Sequence, residues 1–213
     1  DYAGLITVAE SKRFVSDDDI STLLSETALK LSNNQLNTKL VMVTRDLNVS
    51  DVVSKLSKFP IFAVQLHGNE DQTYIDELKQ SLQSANLNTE VWKAIGISDV
   101  NCETNNQTLT ELLALTRSYT NLDRFVFDTS ASNGQSGGTG RSFNWDLLDS
   151  FANNLSMPSF LIAGGINLEN AERASAALAN GFDLNSGVES QPGKKSVQKI
   201  YNVLTHFIGR YEA

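Results

Sequence analysis

Residues 127–144 read FDTSASNGQSGGTGRSFN, and the apolar run Arg124-Phe125-Val126-Phe127 leads into them. The run ends in a carboxylate, Asp128. A loop of glycines and small polar residues follows at once, and a helical pattern opens after it. The order is strand, loop, helix start. In parallel α/β proteins the C-terminal ends of the strands and the loops after them form the active face. Asp128 stands at that point, and Gly137-Gly138-Thr139-Gly140 offers backbone N–H groups with no Cβ to hold a phosphate at a distance. The pair reads as an acid beside an anion cradle. An Asp after a strand is also a common cap or turn residue, and glycine-rich loops are often only loops. Recurrence of the same grammar elsewhere in the chain favours the functional reading.

Working outward, Gly4 to Val8 is short, apolar and β-branched, which predicts a strand, and Ser16 with Asp19 resembles a capping box opening a helix to about Leu31. Lys39 to Thr44 is the next strand, followed by a helix capped by Asn48 or Ser50. Phe62 to His67 precedes a helix through Tyr74, Ile75, Leu78 and Leu82. Val91 to Ile97 precedes one through Leu109 to Leu115. Beyond the opening stretch, a helix holds Trp145, Leu147, Leu148 and Phe151. Ser159 to Ile162 runs into Ala163-Gly164-Gly165, and an alanine-rich helix opens at Asn167 to Asn170 and closes at Asn180-Gly181. Phe182-Asp183-Leu184 leads to Asn185-Ser186-Gly187-Val188-Glu189, and a last helix carries Ile200, Val203, Leu204, Phe207 and Ile208.

Seven strand-plus-helix units result. Their alternation predicts a parallel α/β fold, and polar or glycine residues at the strand ends predict one active face. No G-x-G-x-x-G or Walker loop marks a doubly wound sheet. A (β/α)8 TIM barrel fits better, because barrel enzymes commonly build a phosphate site after strands 7 and 8. Counted backwards, the unit lacking is the first, so residues 1–213 are expected to be a single barrel domain of seven βα units.

The bulk properties bound the partners. With 213 residues, 40% hydrophobic and 20% charged, one buried core is the expectation. A net charge of -8 with no basic face argues against nucleic acid or an anionic membrane, so an anionic ligand must be held locally. The single cysteine, Cys102, lies in a polar segment and allows no internal disulfide, and two distant histidines offer no metal spacing. No metal or organic cofactor is expected. No export signal or membrane span is expected either, and a cytoplasmic location follows as the expectation.

Ordered motifs carry a resemblance over Tyr2 to the C-terminus: Ser11-Lys12-Arg13-Phe14, Val64-Gln65-Leu66-His67-Gly68, Trp92-Lys93-Ala94, Phe127-Asp128, Gly137-Gly138-Thr139-Gly140 with Phe143-Asn144-Trp145, Ala163-Gly164-Gly165, and Ser186-Gly187-Val188-Glu189 with Pro192-Gly193-Lys194-Lys195. In this set the chain resembles the phosphoribosylanthranilate isomerase family of tryptophan biosynthesis. It is most similar to the isomerase half of bifunctional gamma-proteobacterial enzymes, in which an indoleglycerol-phosphate synthase domain precedes it. The resemblance implies an Amadori rearrangement of N-(5-phosphoribosyl)anthranilate to 1-(2-carboxyphenylamino)-1-deoxyribulose 5-phosphate. It implies Asp128 as general acid, with Arg13 toward the anthranilate carboxylate and His67 and Asp183 at the substrate. Phosphate falls to Gly138, Gly140, Gly164, Gly165, Asn185, Ser186 and Gly187, with Asn185 standing where many family members have serine. Lys93 would be a barrel-layer residue near the site. The implied partners are the phosphosugar-anthranilate substrate and a fused or associated indoleglycerol-phosphate synthase domain.

One departure stands out. The family opens with a strand of the type Lys-Ile-Cys-Gly whose cysteine is the general base, and these residues contain no such strand. Impaired turnover and two exposed strand edges are therefore expected. Two other readings compete: a phosphosugar-binding or partner-completed barrel without turnover, and another phosphosugar barrel enzyme such as a histidine-pathway isomerase or a tryptophan synthase α-like lyase. Phe127-Asp128 before Gly-Gly-Thr-Gly, and the Arg13 motif, fit the anthranilate substrate better than the latter.

Overall fold

The computed structural model describes residues 1–30, 38–98, 105–130, 142–148 and 159–208. Its main sheet has seven strands in sequence order: β1 (Tyr2–Ile6), β2 (Lys39–Thr44), β3 (Ile61–Leu66), β4 (Glu90–Ser98), β5 (Arg124–Ser130), β6 (Phe160–Ile162) and β7 (Gly181–Phe182). The helices are α1 (Asp17–Lys30), α2 (Val49–Lys58), α3 (Gln72–Ser84), α4 (Asn105–Arg117), α5 (Ala171–Ala176) and α6 (Val197–Ile208), with a further helical turn opening at Asp146. This is the expected parallel α/β alternation. The chain divides into two compact units, residues 1–93 and 94–213.

In residues 1–93, β1 pairs with β2, β2 with β3 and β3 with β4, all parallel. The capping box forms as predicted: Asp19 N donates to Ser16 Oγ at 3.1 Å and Ser16 N returns to Asp19 Oδ2 at 2.9 Å. Asn48 caps α2 by accepting from Asp51 N at 2.9 Å, and Asp71 caps α3 by accepting from Tyr74 N at 2.9 Å. With their N–H groups satisfied, α2 buries Val49, Val52 and Leu56 and α3 buries Ile75, Leu78 and Leu82, which are helical spacings. Ala63, Val64, Leu66 and Val91 are fully buried beneath them. Lys55 and Lys58 of α2 reach Asp17 of α1 at 2.8 and 3.1 Å. These hydrogen bonds, from Lys55 first and Lys58 second, hold the Asp17 carboxyl below its ordinary range.

In residues 94–213, β5 pairs with β6 and β6 with β7, again parallel. The core gathers Ile95, Phe125, Phe127, Phe143, Trp145, Phe160, Ile162, Val203 and Phe207, among others. Phe127 meets Phe160 edge-on at 5.4 Å, and Phe182 stacks on Phe207 at 4.3 Å.

Several boundaries differ from expectation, beginning with β1, which runs Tyr2–Ile6 rather than Gly4 to Val8 because its ladder with β2 starts at the pair Tyr2–Lys39. β5 continues to Ser130, so Asp128 lies inside the strand rather than after it. The alanine-rich helix stops at Ala176, because the chain must turn extended at Ala177 (φ -68, ψ 148) for the Asn180 side chain to accept from Phe160 N at 2.8 Å. The last sheet strand is Gly181–Phe182, although Asp183 N still donates to Ile162 O at 2.8 Å. An antiparallel pair, β8 (Glu189–Gln191) with β9 (Lys194–Lys195), was not anticipated. Its signal was present in Pro192-Gly193, where Gly193 takes the φ of +83 that a proline–glycine turn demands.

Candidate functional site

Within residues 94–213 the predicted residues gather at the ends of β5, β6 and β7. Asp128 is 8% exposed, in a strand whose neighbours Phe127 and Thr129 are also buried. Thr129 Oγ1 accepts from Phe143 N at 3.2 Å, tying the strand to the segment that opens the next helix. Gly164 follows β6 at φ +83, and a Cβ there would collide with the Thr129 side chain and backbone. Only glycine lets the two backbones approach so closely. Gly165 also has positive φ (+68), and its carbonyl accepts from Asn167 Nδ2 at 3.1 Å and Asn170 Nδ2 at 3.0 Å. A Cβ on Gly187 would strike the Ile166 carbonyl and lie 2.8 Å from Asn167 Cβ. The glycine turns after β6 and β7 are thus pressed together, and the first also presses on Thr129, the residue after Asp128.

Asn185 precedes the turn Ser186–Val188. Its side chain is already taken: Lys195 Nζ donates to Asn185 Oδ1 at 2.7 Å and to Asn185 O at 3.0 Å, and pairs with Glu189 at 2.9 Å. Lys195 therefore braces the turn from β9, a role that reading the motif alone did not reveal. Asp183 is half-buried just past β7. Gly138, Gly140 and Cys102 lie outside the described residues.

Arg13 and His67 belong to residues 1–93. Arg13 is half-buried in the loop after β1, where its N–H donates to Ser11 Oγ at 3.1 Å and Val15 N returns to Ile6 O at 2.9 Å. His67 follows β3 directly. Its N–H donates to Thr44 O at 2.9 Å, and Gln65 Nε2, on a buried side chain, donates to His67 Nδ1 at 3.2 Å. Lys93 is buried, as a layer residue would be, but it is paired: its ammonium lies 3.0 Å from Glu70 Oε2. Glu70 was missed by sequence reading, although its place three residues after His67 was a signal. A cavity of about 310 Å³ lies beside it, lined by Asp46, Leu47, Asn69, Glu70, Asp71 and Tyr74. Burial first, then the charges of Glu70, Glu77 and Asp46, push the Tyr74 phenol up to about 12.

Among the described residues no group of three or more His, Cys, Asp or Glu could hold a metal ion, and no helix is long and apolar enough to cross a membrane. Parallel βα units, a buried acid near the end of β5 and interlocked glycine turns define an α/β protein with a candidate site at its strand ends. Residues 1–206 match the N-(5′-phosphoribosyl)anthranilate isomerase family, and the chain belongs to that family. It is 37% identical over 202 residues to tryptophan biosynthesis protein TrpCF of Vibrio cholerae, covering 95% of this chain and 36% of that protein. With TrpCF of Vibrio parahaemolyticus it is 38% identical over 200 residues, covering 93% and 35%. The chain thus spans about a third of the length of these relatives. The fold also resembles the crystal structure of phosphoribosyl anthranilate isomerase from Thermotoga maritima, with a TM-score of 0.73 at 23% identity over 98% of this chain and 88% of that one.

Proposed function

We propose that this chain is the isomerase domain that converts N-(5-phosphoribosyl)anthranilate to 1-(2-carboxyphenylamino)-1-deoxyribulose 5-phosphate in tryptophan biosynthesis, in the cytoplasm. The observation that carries it is Asp128, buried at 8% exposure beside glycine turns that only glycine can form. Family membership supports it. So does a solved neighbour, TM-score 0.70, whose crystals hold reduced 1-(o-carboxyphenylamino)-1-deoxyribulose 5-phosphate.

Asp128 delivers a proton to the ribose ring oxygen as the ring opens, and a base takes the C2′ proton of the resulting iminium. A phosphate held by backbone N–H groups at Gly164, Gly165, Ser186 and Gly187, with Gly138 and Gly140 of the glycine-rich sequence stretch, fixes the sugar between them. Asn185 backs this cradle. Arg13 fits the anthranilate carboxylate with a planar two-pronged contact, while His67 and Asp183 line the substrate. The rearrangement moves protons only, so it calls for no cofactor.

The seven units correspond to the second through eighth of a (β/α)8 barrel, with 1–213 as one domain. The base is then a cysteine on the first strand, outside these residues, and the chain alone turns over poorly. The partner reading follows the TrpCF relatives: an indoleglycerol-phosphate synthase domain, fused or associated. One observation favours a second reading, a phosphosugar-binding module without turnover: the sequence has a single cysteine, Cys102, in a polar segment. Fluorescence loss of phosphoribosylanthranilate, measured on the chain extended by a first strand carrying cysteine, separates the two. Asp128→Asn should lower the rate by ~10²–10⁴-fold with the fold intact. An unchanged rate would remove Asp128 from the mechanism.

A further inference from the structure

Glu70 and Lys93 form a buried ion pair, side chains 2% and 3% exposed and 3.0 Å apart, with no part in the chemistry above. Stability alone explains such a pair poorly, because burying two charges costs desolvation that an apolar pair avoids. Their hydrogen bonds converge on one short segment. Lys93 Nζ donates to Gly68 O at 2.8 Å and to Leu66 O at 3.4 Å, the carbonyls on either side of His67. Glu70 Oε2 accepts from Gly68 N at 2.9 Å, and Glu70 Oε1 accepts from Asp46 N at 2.9 Å in the loop after β2. A Cβ on Gly68 would strike the Asp46 carboxylate, so the two loops lie against each other.

We infer that Glu70 and Lys93 are positioning residues that fix the backbone on both sides of His67, and so the place of its imidazole at the end of β3. The pair holds both N–H and C=O of Gly68, while Thr44 O holds the N–H of His67. With its backbone fixed, the ring is oriented by Gln65 through Nδ1. The inference rests on the proposed role of His67 at the substrate.

In the chain extended by an N-terminal strand–helix unit carrying cysteine, Lys93→Met keeps the length and burial of the side chain but releases both carbonyls. It should raise KM about tenfold and change kcat less than about threefold, because binding geometry and not proton transfer is disturbed. Added to His67→Ala, it should raise KM by less than about twofold, since residues acting through one another are not additive. Glu70→Gln, which retains an acceptor and the shape, should fall between wild type and Lys93→Met. If Lys93→Met leaves KM unchanged, or keeps its full effect in the His67→Ala background, the pair does not act through His67. The ring resonances of His67 by NMR need no turnover: one set in the wild type, shifted or split in Lys93→Met, supports the pair, and identical spectra overturn it. An inactive extended chain in the fluorescence assay counts against the isomerase reading alone.

Discussion

Tyr74 Oη is buried and has no hydrogen-bond partner among the described residues, and its phenol is pushed up to about 12. An unsatisfied hydroxyl contributes nothing favourable, so Tyr74→Phe should be neutral or stabilising by up to about 1 kcal/mol at pH 7 in chemical denaturation. The pH dependence has a definite sign. The folded pKa lies above the unfolded value of about 10, so the unfolded chain ionises first and stability falls between about pH 10 and 12. Tyr74→Phe should flatten that fall; an equally steep fall in the variant would exclude Tyr74 as its source. Site residues were legible to different degrees. Asp128 and Gly164 announce themselves by standing at the end of apolar runs. Glu70 with Lys93, and Lys195 with Asn185, did not, because their partners are 23 and 10 residues away and a charged residue in isolation reads as a solvated one.

Among the elements, the glycine turns after β6 and β7 leave no room for a side chain. Gly164→Ala places a methyl group against Thr129 at φ +83 and should cost about 2 kcal/mol or more. Gly4→Ala in β1, with nothing within 4 Å of the new Cβ, should change stability by less than about 0.5 kcal/mol. Similar melting temperatures for the two variants would mean that the turn is looser than described. In α1, the lowered Asp17 carboxyl contributes stability that is present above the ordinary carboxylate range and is lost as pH falls through its lowered folded value. Lys55→Met should therefore make acid unfolding less steep, checked by circular dichroism against pH. Element types were largely readable, because helical spacing in α2 and α3 and caps at Ser16, Asn48 and Asp71 are local signals. The short α5 and the start of β7 were not, since Asn180 ends the helix by bonding to Phe160, twenty residues back.

For the whole molecule, the order of seven parallel strands followed from counting βα units in the sequence, and family membership agrees with it. The division at residue 93 was not legible, since it depends on which contacts are dense and no break in composition marks it. The net charge of -8 places the burden of holding an anionic substrate on local groups, so raising salt from 50 to 200 mM should weaken substrate binding only modestly, unlike the ~10³–10⁵-fold losses of proteins that bind through a broad basic face. In the proposed function, Asp128 and the glycine turns form the acid and phosphate part of an isomerase site whose base comes from a preceding strand. This arrangement is tested most directly by the rate of phosphoribosylanthranilate fluorescence loss for three proteins: this chain, the chain extended by an N-terminal strand–helix unit carrying cysteine, and that extended chain with Asp128→Asn. Rapid turnover is expected for the extended chain only. Full activity in this chain alone would contradict the need for the preceding strand, and no activity in any of the three would contradict the isomerase assignment.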